Sequence, residues 1–292
     1  MCSIHSDIAP QVKRAKPLLG TVVSIEAEGL SSTSELHAAV NDAYTRVLQV
    51  HEVMNFHSVT SDLHRLNNAE VGEVVRTHPR LTTVLELALR LHEESEGAFD
   101  PGVRASDSRA SYSQNQEVSS VRNICILEPG VVRKLGPAVV DLAGIAKGYA
   151  VDVALEGLIA AGVSSALVNA GGDMRARGTR KFPFQVRHPF SPGVLSQVFY
   201  LGNEACATSA VLPDALESPF VDPGSQSKVK DVCSVSVIAP QAVLADAFTK
   251  VCIVKGIEPQ ALFQKYGARM LFGGEVGSWI WNTSDMAREV VL

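Results

Sequence analysis

Several short segments of this chain place charge and glycine where chemistry could be done. In VDLAGIAKGYAVD (residues 140–152) an apolar strand ends at Asp141, and a glycine-bearing turn opens a helix with Lys147 in its first turn. Backbone N–H groups, the positive end of the helix and an ammonium then converge on one spot, which suits a phosphate or diphosphate. The same residues also read as an ordinary strand-turn-helix, with Gly144 and Gly148 serving close packing. The Walker phosphate loop and the GxGxxG dinucleotide fingerprint are both absent.

Further on, VNAGGDMRARG (168–178) runs a strand into two glycines and an acid, which allows a close backbone approach to a ligand or a plain hairpin. SEGAFDPGV (95–103) holds Phe99 and Asp100 beside a proline, either as an edge for a ring ligand or as a packed loop. In the late helix containing LADAFTK, the apolar Leu244, Ala247, Phe248 and Val251 share one face, leaving Asp246, Thr249 and Lys250 on another. Asp246 with Thr249 could hold a hard cation such as Mg²⁺ through oxygen. The plainer reading is an exposed Asp-to-Lys i,i+4 pair worth about 0.3–0.5 kcal/mol.

The elements that must carry these groups are legible in the hydropathy pattern. GTVVSIEAE (20–28) alternates as a half-buried strand does, and Leu36, Val40, Ala43, Val47 and Val50 recur at helical spacing up to about Met54. Ser61 leads a turn into a short helix at Asp62; a strand at 71–75 and a helix at 81–94 closed by Gly97 follow. Strands are predicted at 124–127, 138–142, 164–170, 184–186, 198–201, 232–238, 268–272 and 276–281. Helices are predicted at 144–161, 241–254 and 259–266. Strands that follow one another without an intervening helix imply α+β architecture with a largely antiparallel sheet. The polar stretch at about 104–122 reads as a surface loop within a single domain spanning 1–292.

Composition excludes several classes. With 292 residues, 46% hydrophobic and 20% charged, the chain is in the globular range, and its net charge of −5 gives no general attraction to nucleic acid. No apolar stretch approaches the ~20 residues of a membrane span. The five cysteines form no CxxC pair, and most are expected to be buried as small apolar side chains. No export signal follows Met1, so a cytoplasmic location is expected, with a periplasmic one after signal removal as the alternative.

Taken in order, these segments resemble the ApbE family, the FAD:protein FMN transferases. The resemblance runs from Pro17 to about Phe272 and rests on LLGTVVSIEA, FHSVTSDLHRLN with its S-x-L-x-x-x-N spacing, SEGAFDPGV, VDLAGIAKGYAVD, LVNAGGDMRARG, ATSA (207–210) and LADAFTK. It implies a T-fold-like chain that holds FAD with its isoalloxazine near Leu19, His57 and the Ala98, Phe99, Asp100 loop, and with Phe220 also at the flavin. Asp141 and Lys147 would lie by the adenosine and diphosphate. Mg²⁺ would be bound by the Gly144 carbonyl, Asp246 and the residue at position 250, with Asp246 and Asp222 as catalytic residues. The implied reaction is attack by a Ser or Thr hydroxyl of an acceptor flavoprotein on the FMN-side phosphorus, releasing AMP.

This sequence departs from the family pattern at two chemically important places. Lys250 stands where an oxygen ligand is usual, so either Thr249 supplies the oxygen or the Lys250 ammonium takes the place of Mg²⁺. Pro219 stands where the family's DPxTG loop carries histidine, with Asp222 and Pro223 retained. FAD hydrolysis to FMN and AMP, and flavin binding without turnover, are therefore the rival expectations.

Overall fold

In the computed structural model, which describes residues 10–102, 119–188, 191–195, 198–212, 218–231, 233–256, 259–273, 278–283 and 286–291, helices alternate with antiparallel strands. A hairpin of β1 (Gln11–Leu18) and β2 (Thr21–Glu28) comes first, then α1 (Thr33–Met54), α2 (Asp62–Asn68), β3 (Val74–Arg76) and α3 (Pro79–Glu94). A second hairpin of β4 (Ile124–Glu128) and β5 (Val131–Lys134) precedes α4 (Ala146–Ala160), β6 (Ser165–Ala170) and β7 (Asp173–Gly178). The short strands β8 (Phe182–Phe184), β9 (Arg187–His188), β10 (Ser191–Leu195) and β11 (Phe199–Leu201) lead to the longer β12 (Ala205–Val211) and β13 (Cys233–Ala239). The chain continues through α5 (Ala242–Lys255), α6 (Gln260–Tyr266), β14 (Arg269–Gly273), β15 (Ser278–Thr283) and β16 (Met286–Val291).

Local chemistry accounts for the early elements. The Ser32 hydroxyl accepts the Glu35 N–H and starts α1, whose Leu36, Val40, Ala43, Val47 and Val50 are buried along one face. Ser61 does the same for α2 by accepting from His64, and α3 begins with Pro79, whose missing N–H costs nothing in a first turn. In β2 the alternation buries Val23, Ile25 and Ala27. Each such side chain removed from water stabilises the fold by about 1.5–3 kcal/mol, less for alanine.

Nine strands form one sheet in the order β1-β2-β6-β7-β12-β13-β14-β15-β16, and every neighbouring pair is antiparallel. The expected α+β class with antiparallel sheets is therefore the one adopted. α1 packs on α4, α4 lies on β6 and β7, and α5 lies on β12 and β13, so the main core sits between these helices and the sheet. The far side of the sheet carries a smaller cluster of Ala176, Phe182, Leu201, Cys206 and Ile238. Strands β3, β5 and β4 make a separate three-stranded sheet.

Some expectations need correction. Residues 138–142 are not a strand but make a single bridge, Gly102 to Val140, because side chains rather than a neighbouring strand satisfy that backbone. β1, β5, β7, β9, β10, β12 and β16 were not anticipated as strands. Most of the expected polar loop, residues 103–118, lies outside the described residues; at its end Val121–Asn123 form a 3-10 turn. Among the described residues no helix is long and apolar enough to cross a membrane.

Candidate functional site

Two polar clamps fix the backbone that leads into α4. The buried Asn67 amide donates to the Val140 carbonyl at 2.9 Å and accepts the Val140 N–H at 2.8 Å. The Asn67 carbonyl accepts from the buried Lys134 ammonium at 2.8 Å; burial holds that amine below its usual pKa, and Glu73 opposes the shift. Asp100 accepts from Gly102 N, Val121 N and Ser120 Oγ at 2.8, 3.0 and 2.7 Å, and lies 3.3 Å from His92 Nδ1. Its neighbour Pro101 accepts the Asp141 N–H. The motif residues Asn67 and Asp100 thus tie the approach to Asp141, whose own carboxylate accepts from Ala143 at 2.9 Å and tightens the turn.

Helices α4 and α5 then cap one another. Neither start has a side-chain cap of its own. Asp152 on α4 accepts the N–H groups of Ala242 and Val243, both at 2.9 Å, and pairs with Arg175 at 2.8 Å. In return Asp246 on α5 accepts the Gly148 N–H at 3.1 Å in the first turn of α4. Each carboxylate meets the positive end of the other helix. Gly148 permits this approach: a Cβ there would lie 2.2 Å from the Ala242 carbonyl oxygen. Burial pushes the Asp152 carboxyl up, while Arg175 and the two amides pull against it.

Four charged groups meet at this junction. Lys147 is paired with Asp173, at the start of β7, and lies 3.9 Å from Asp246. Lys250 is paired with Asp246 itself. The Asp246 side chain is 0% exposed, so the sequence expectation of a solvent-exposed i,i+4 pair is corrected: the pair is there, but its acid lies in the core. Burial and Asp246 push Asp173 up to about 6, against the pull of both lysines. Burial also raises Asp246, but Lys250, Lys147 and the Gly148 amide outweigh it and hold that carboxyl low. The Lys147 ammonium is disfavoured by burial yet kept above its ordinary value by Asp246 and Asp173.

The Thr249 hydroxyl donates to the Asp246 backbone carbonyl at 2.7 Å and lies 2.8 Å from Ser209 Oγ on β12. Gly144 faces the Lys250 stem, with a Cβ there falling 3.3 Å from Lys250 Cε.

The other expected residues fall in two further places. Leu19 and Gly20, at φ +56° and +69°, form the two-residue turn between β1 and β2. Gly171 closes on that hairpin, a Cβ there lying 2.4 Å from Thr21 Oγ1, which brings the turn before Asp173 alongside. His57 is exposed, its ring edge-on to Phe56. A cleft of about 1020 Å³ brings Ala98, Asp100 and Asp222 together with His92, Arg122 and Lys255. Asp222 Oδ1 there accepts the Gly224 N–H at 2.9 Å. Phe220 packs partly against the core. Phe99 is itself buried in the core, so of the two readings of its loop the packed one holds for the ring. Residues the sequence reading did not single out include Asp173, whose signal was the acid closing the GGD turn. Asp152 and Ser209 lie inside the quoted VDLAGIAKGYAVD and ATSA segments, whereas His92 gave no signal.

The comparisons with known proteins bear on the whole arrangement. The ApbE family profile matches residues 19–272. A Rhodobacter capsulatus protein named FAD:protein FMN transferase is 29% identical over 278 residues, 86% of this chain and 52% of that protein, so the chain spans about half the length of that relative. A Vibrio cholerae protein of the same name is 24% identical over 284 residues, covering 86% of this chain and 83% of its own. Among solved structures, the flavin transferase ApbE of Vibrio cholerae matches with a TM-score of 0.76 at 23% identity, covering 97% of both chains. The ApbE protein of Thermotoga maritima matches with a TM-score of 0.77 at 22% identity, over 91% of this chain and 96% of that one. With the profile running from the β1–β2 turn through β14 and taking in every segment just described, the chain belongs to the ApbE family.

Proposed function

We propose that this chain is an FAD:protein FMN transferase, moving FMN from FAD to a Ser or Thr hydroxyl of an acceptor flavoprotein with release of AMP. The observation that carries this reading is the junction of α4 and α5, where Lys147 and Lys250 stand over the buried Asp173 and Asp246 within the span matched by the family. Two ammoniums beside the first turn of a helix suit a diphosphate. Leu19, His57 and Ala98 would border the flavin ring, and Asp141 the adenosine side.

In the reaction the acceptor oxygen bonds to the FMN-side phosphorus, and the bond from that phosphorus to the bridging oxygen breaks. AMP leaves with that oxygen. The hydroxyl proton passes to Asp222 or to solvent, since Pro219 takes the position where the resemblance puts a histidine. The lysines offset negative charge on the leaving phosphate, the main demand of phosphoryl transfer. Mg²⁺, which the resemblance implies, does not fit these residues as they stand. Asp246 Oδ2 accepts the Gly148 N–H and Oδ1 is paired with the Lys250 ammonium, so a cation already stands where the metal would bind.

The test is incubation with FAD and an acceptor domain bearing an accessible Thr, followed by mass spectrometry. An FMN adduct with equimolar AMP is expected; no adduct, with or without Mg²⁺, would overturn turnover. Lys250 on Asp246 and Pro219 in the Asp222 loop favour a second reading, flavin binding without catalysis. Its signature is retained FAD with no AMP, whereas AMP without a labelled acceptor would identify hydrolysis.

A further inference from the structure

The resemblance asks for a divalent cation at Asp246, and the structure puts a lysine there. We propose that the Lys250 ammonium is a built-in cation that replaces the metal ion, so that this chain binds the diphosphate of FAD without a divalent ion. The inference rests on the flavin reading above, and its test separates the two.

Three observations carry it. First, the i,i+4 spacing delivers the ammonium from the same helix as Asp246, so carboxylate and counter-ion are positioned together when α5 forms. A fully buried carboxylate is strongly disfavoured without a partner, so Asp246 requires a cation beside it in the folded chain. Lys250 supplies it permanently.

Second, the cation's place is physically filled. The Lys250 stem crosses Gly144, with Cε, Cγ and Cδ lying 3.3, 3.5 and 3.6 Å from where a Cβ on that residue would be. The stem therefore lies against the turn whose carbonyl the resemblance assigns to the metal. A divalent ion would have to expel this stem and break the ion pair. It would also enter beside Lys147, already 3.9 Å from Asp246 Oδ1, and meet like-charge repulsion.

Third, the donors are partly exposed while the acids are buried. The Lys250 and Lys147 side chains are 19% and 34% exposed, above carboxylates at 0% and 3% for Asp246 and Asp173. An ammonium has three N–H donors. One on each lysine is taken by its aspartate, leaving the others for phosphate oxygens. A univalent donor offers less charge than a divalent ion, so Lys250 holds and orients the diphosphate rather than acting as a Lewis acid.

The experiment uses the purified chain stripped with a chelator. FAD binding is followed by flavin fluorescence with excess EDTA and with millimolar Mg²⁺, and Mn²⁺ binding is followed by electron paramagnetic resonance without FAD. The expected result is an FAD affinity that changes less than about 2-fold between EDTA and Mg²⁺, with no Mn²⁺ bound tighter than about 1 mM. Lys250→Thr should bind Mn²⁺ at least ~10-fold tighter than the parent and make FAD binding Mg²⁺-dependent. FAD binding by the parent that needs Mg²⁺, or a Mn²⁺ site in the parent that Asp246→Asn removes, would overturn the proposal while leaving the flavin reading intact. Absence of FAD binding under both conditions would overturn both. The parent measurements decide the matter even if Lys250→Thr fails to fold.

Discussion

Replacing Asp152 by Ala tests whether the mutual capping of α4 and α5 holds the site together. The substitution removes two hydrogen bonds at 2.9 Å to the first turn of α5 and the 2.8 Å pair with Arg175. Arg175, only 9% exposed on its side chain, keeps Glu156 at 3.3 Å, but Glu156 is 60% exposed and screened by water. Breaking one side of a buried charge pair costs about 3–5 kcal/mol, and loss of a helix cap lies within that figure rather than on top of it. For 292 residues the unfolding entropy is about 0.6 kcal/mol/K, so a loss of ~4 kcal/mol lowers Tm by about 7 °C. Calorimetry or far-ultraviolet circular dichroism measures the shift, with Glu156→Ala as a control expected to cost no more than ~0.5 kcal/mol. Because α5 carries Asp246 and Lys250, FAD affinity should fall together with stability in Asp152→Ala and stay unchanged in the control. A variant melting within about 1 °C of the parent would refute the capping argument, since no buried pair of this kind is lost so cheaply.

Gly148→Ala should destabilise by ~2 kcal/mol despite the better helix propensity of Ala, because its Cβ would sit 2.2 Å from the Ala242 carbonyl oxygen and force the helices apart; a neutral or raised Tm would show that the contact yields. Burial pushes the Glu94 carboxyl up, but hydrogen bonds from Lys265 and Tyr266 hold it below its ordinary value, so its contribution exists above the unfolded carboxylate pKa and is lost as pH falls through the folded one. Glu94→Gln should therefore cost up to ~1 kcal/mol at neutral pH and progressively less as pH falls below the unfolded carboxylate pKa, and a cost that does not decline with pH would contradict this in urea titrations. Burial pushes the Cys206 thiol up to about 12 and raises Cys233 and Cys252 as well. Native alkylation followed by peptide mass mapping should modify Cys125, which is partly exposed, well before these three, and rapid labelling of Cys206 would argue against its burial.

The elements carried by local rules were readable along the chain. α1 announces itself by its apolar stripe and α2 by Ser61, because a helix face and a cap are written within a few residues. β1 escaped because Lys13, Arg14, Lys16 and Pro17 obscure its alternation, as suits a strand at the edge of the sheet. β13 is buried at every position and showed itself through Val235, Val237 and Ile238 despite two serines, whereas its partner β12 is a small-residue stretch with no strand signature. Residues 138–142 looked like a strand because they are mostly apolar, yet Val140 bonds to Asn67, 73 positions earlier, and Val139 to the Ser119 hydroxyl.

The sequence by itself determined which chemical groups are available: Lys147 at a helix start, Asp246 and Lys250 four residues apart, and Asp222 retained beside a proline. Periodicity and spacing are properties of a few neighbouring residues, so they survive without a fold. Only the tertiary structure decided that Asp246 is buried, that Lys250 rather than solvent neutralises it, and that Asp152 and Asp246 exchange caps between helices. Those outcomes depend on how closely α4 and α5 approach across Gly148 and on the dielectric left between them. Both are set by residues about 90 or more positions apart, and no local pattern encodes that distance.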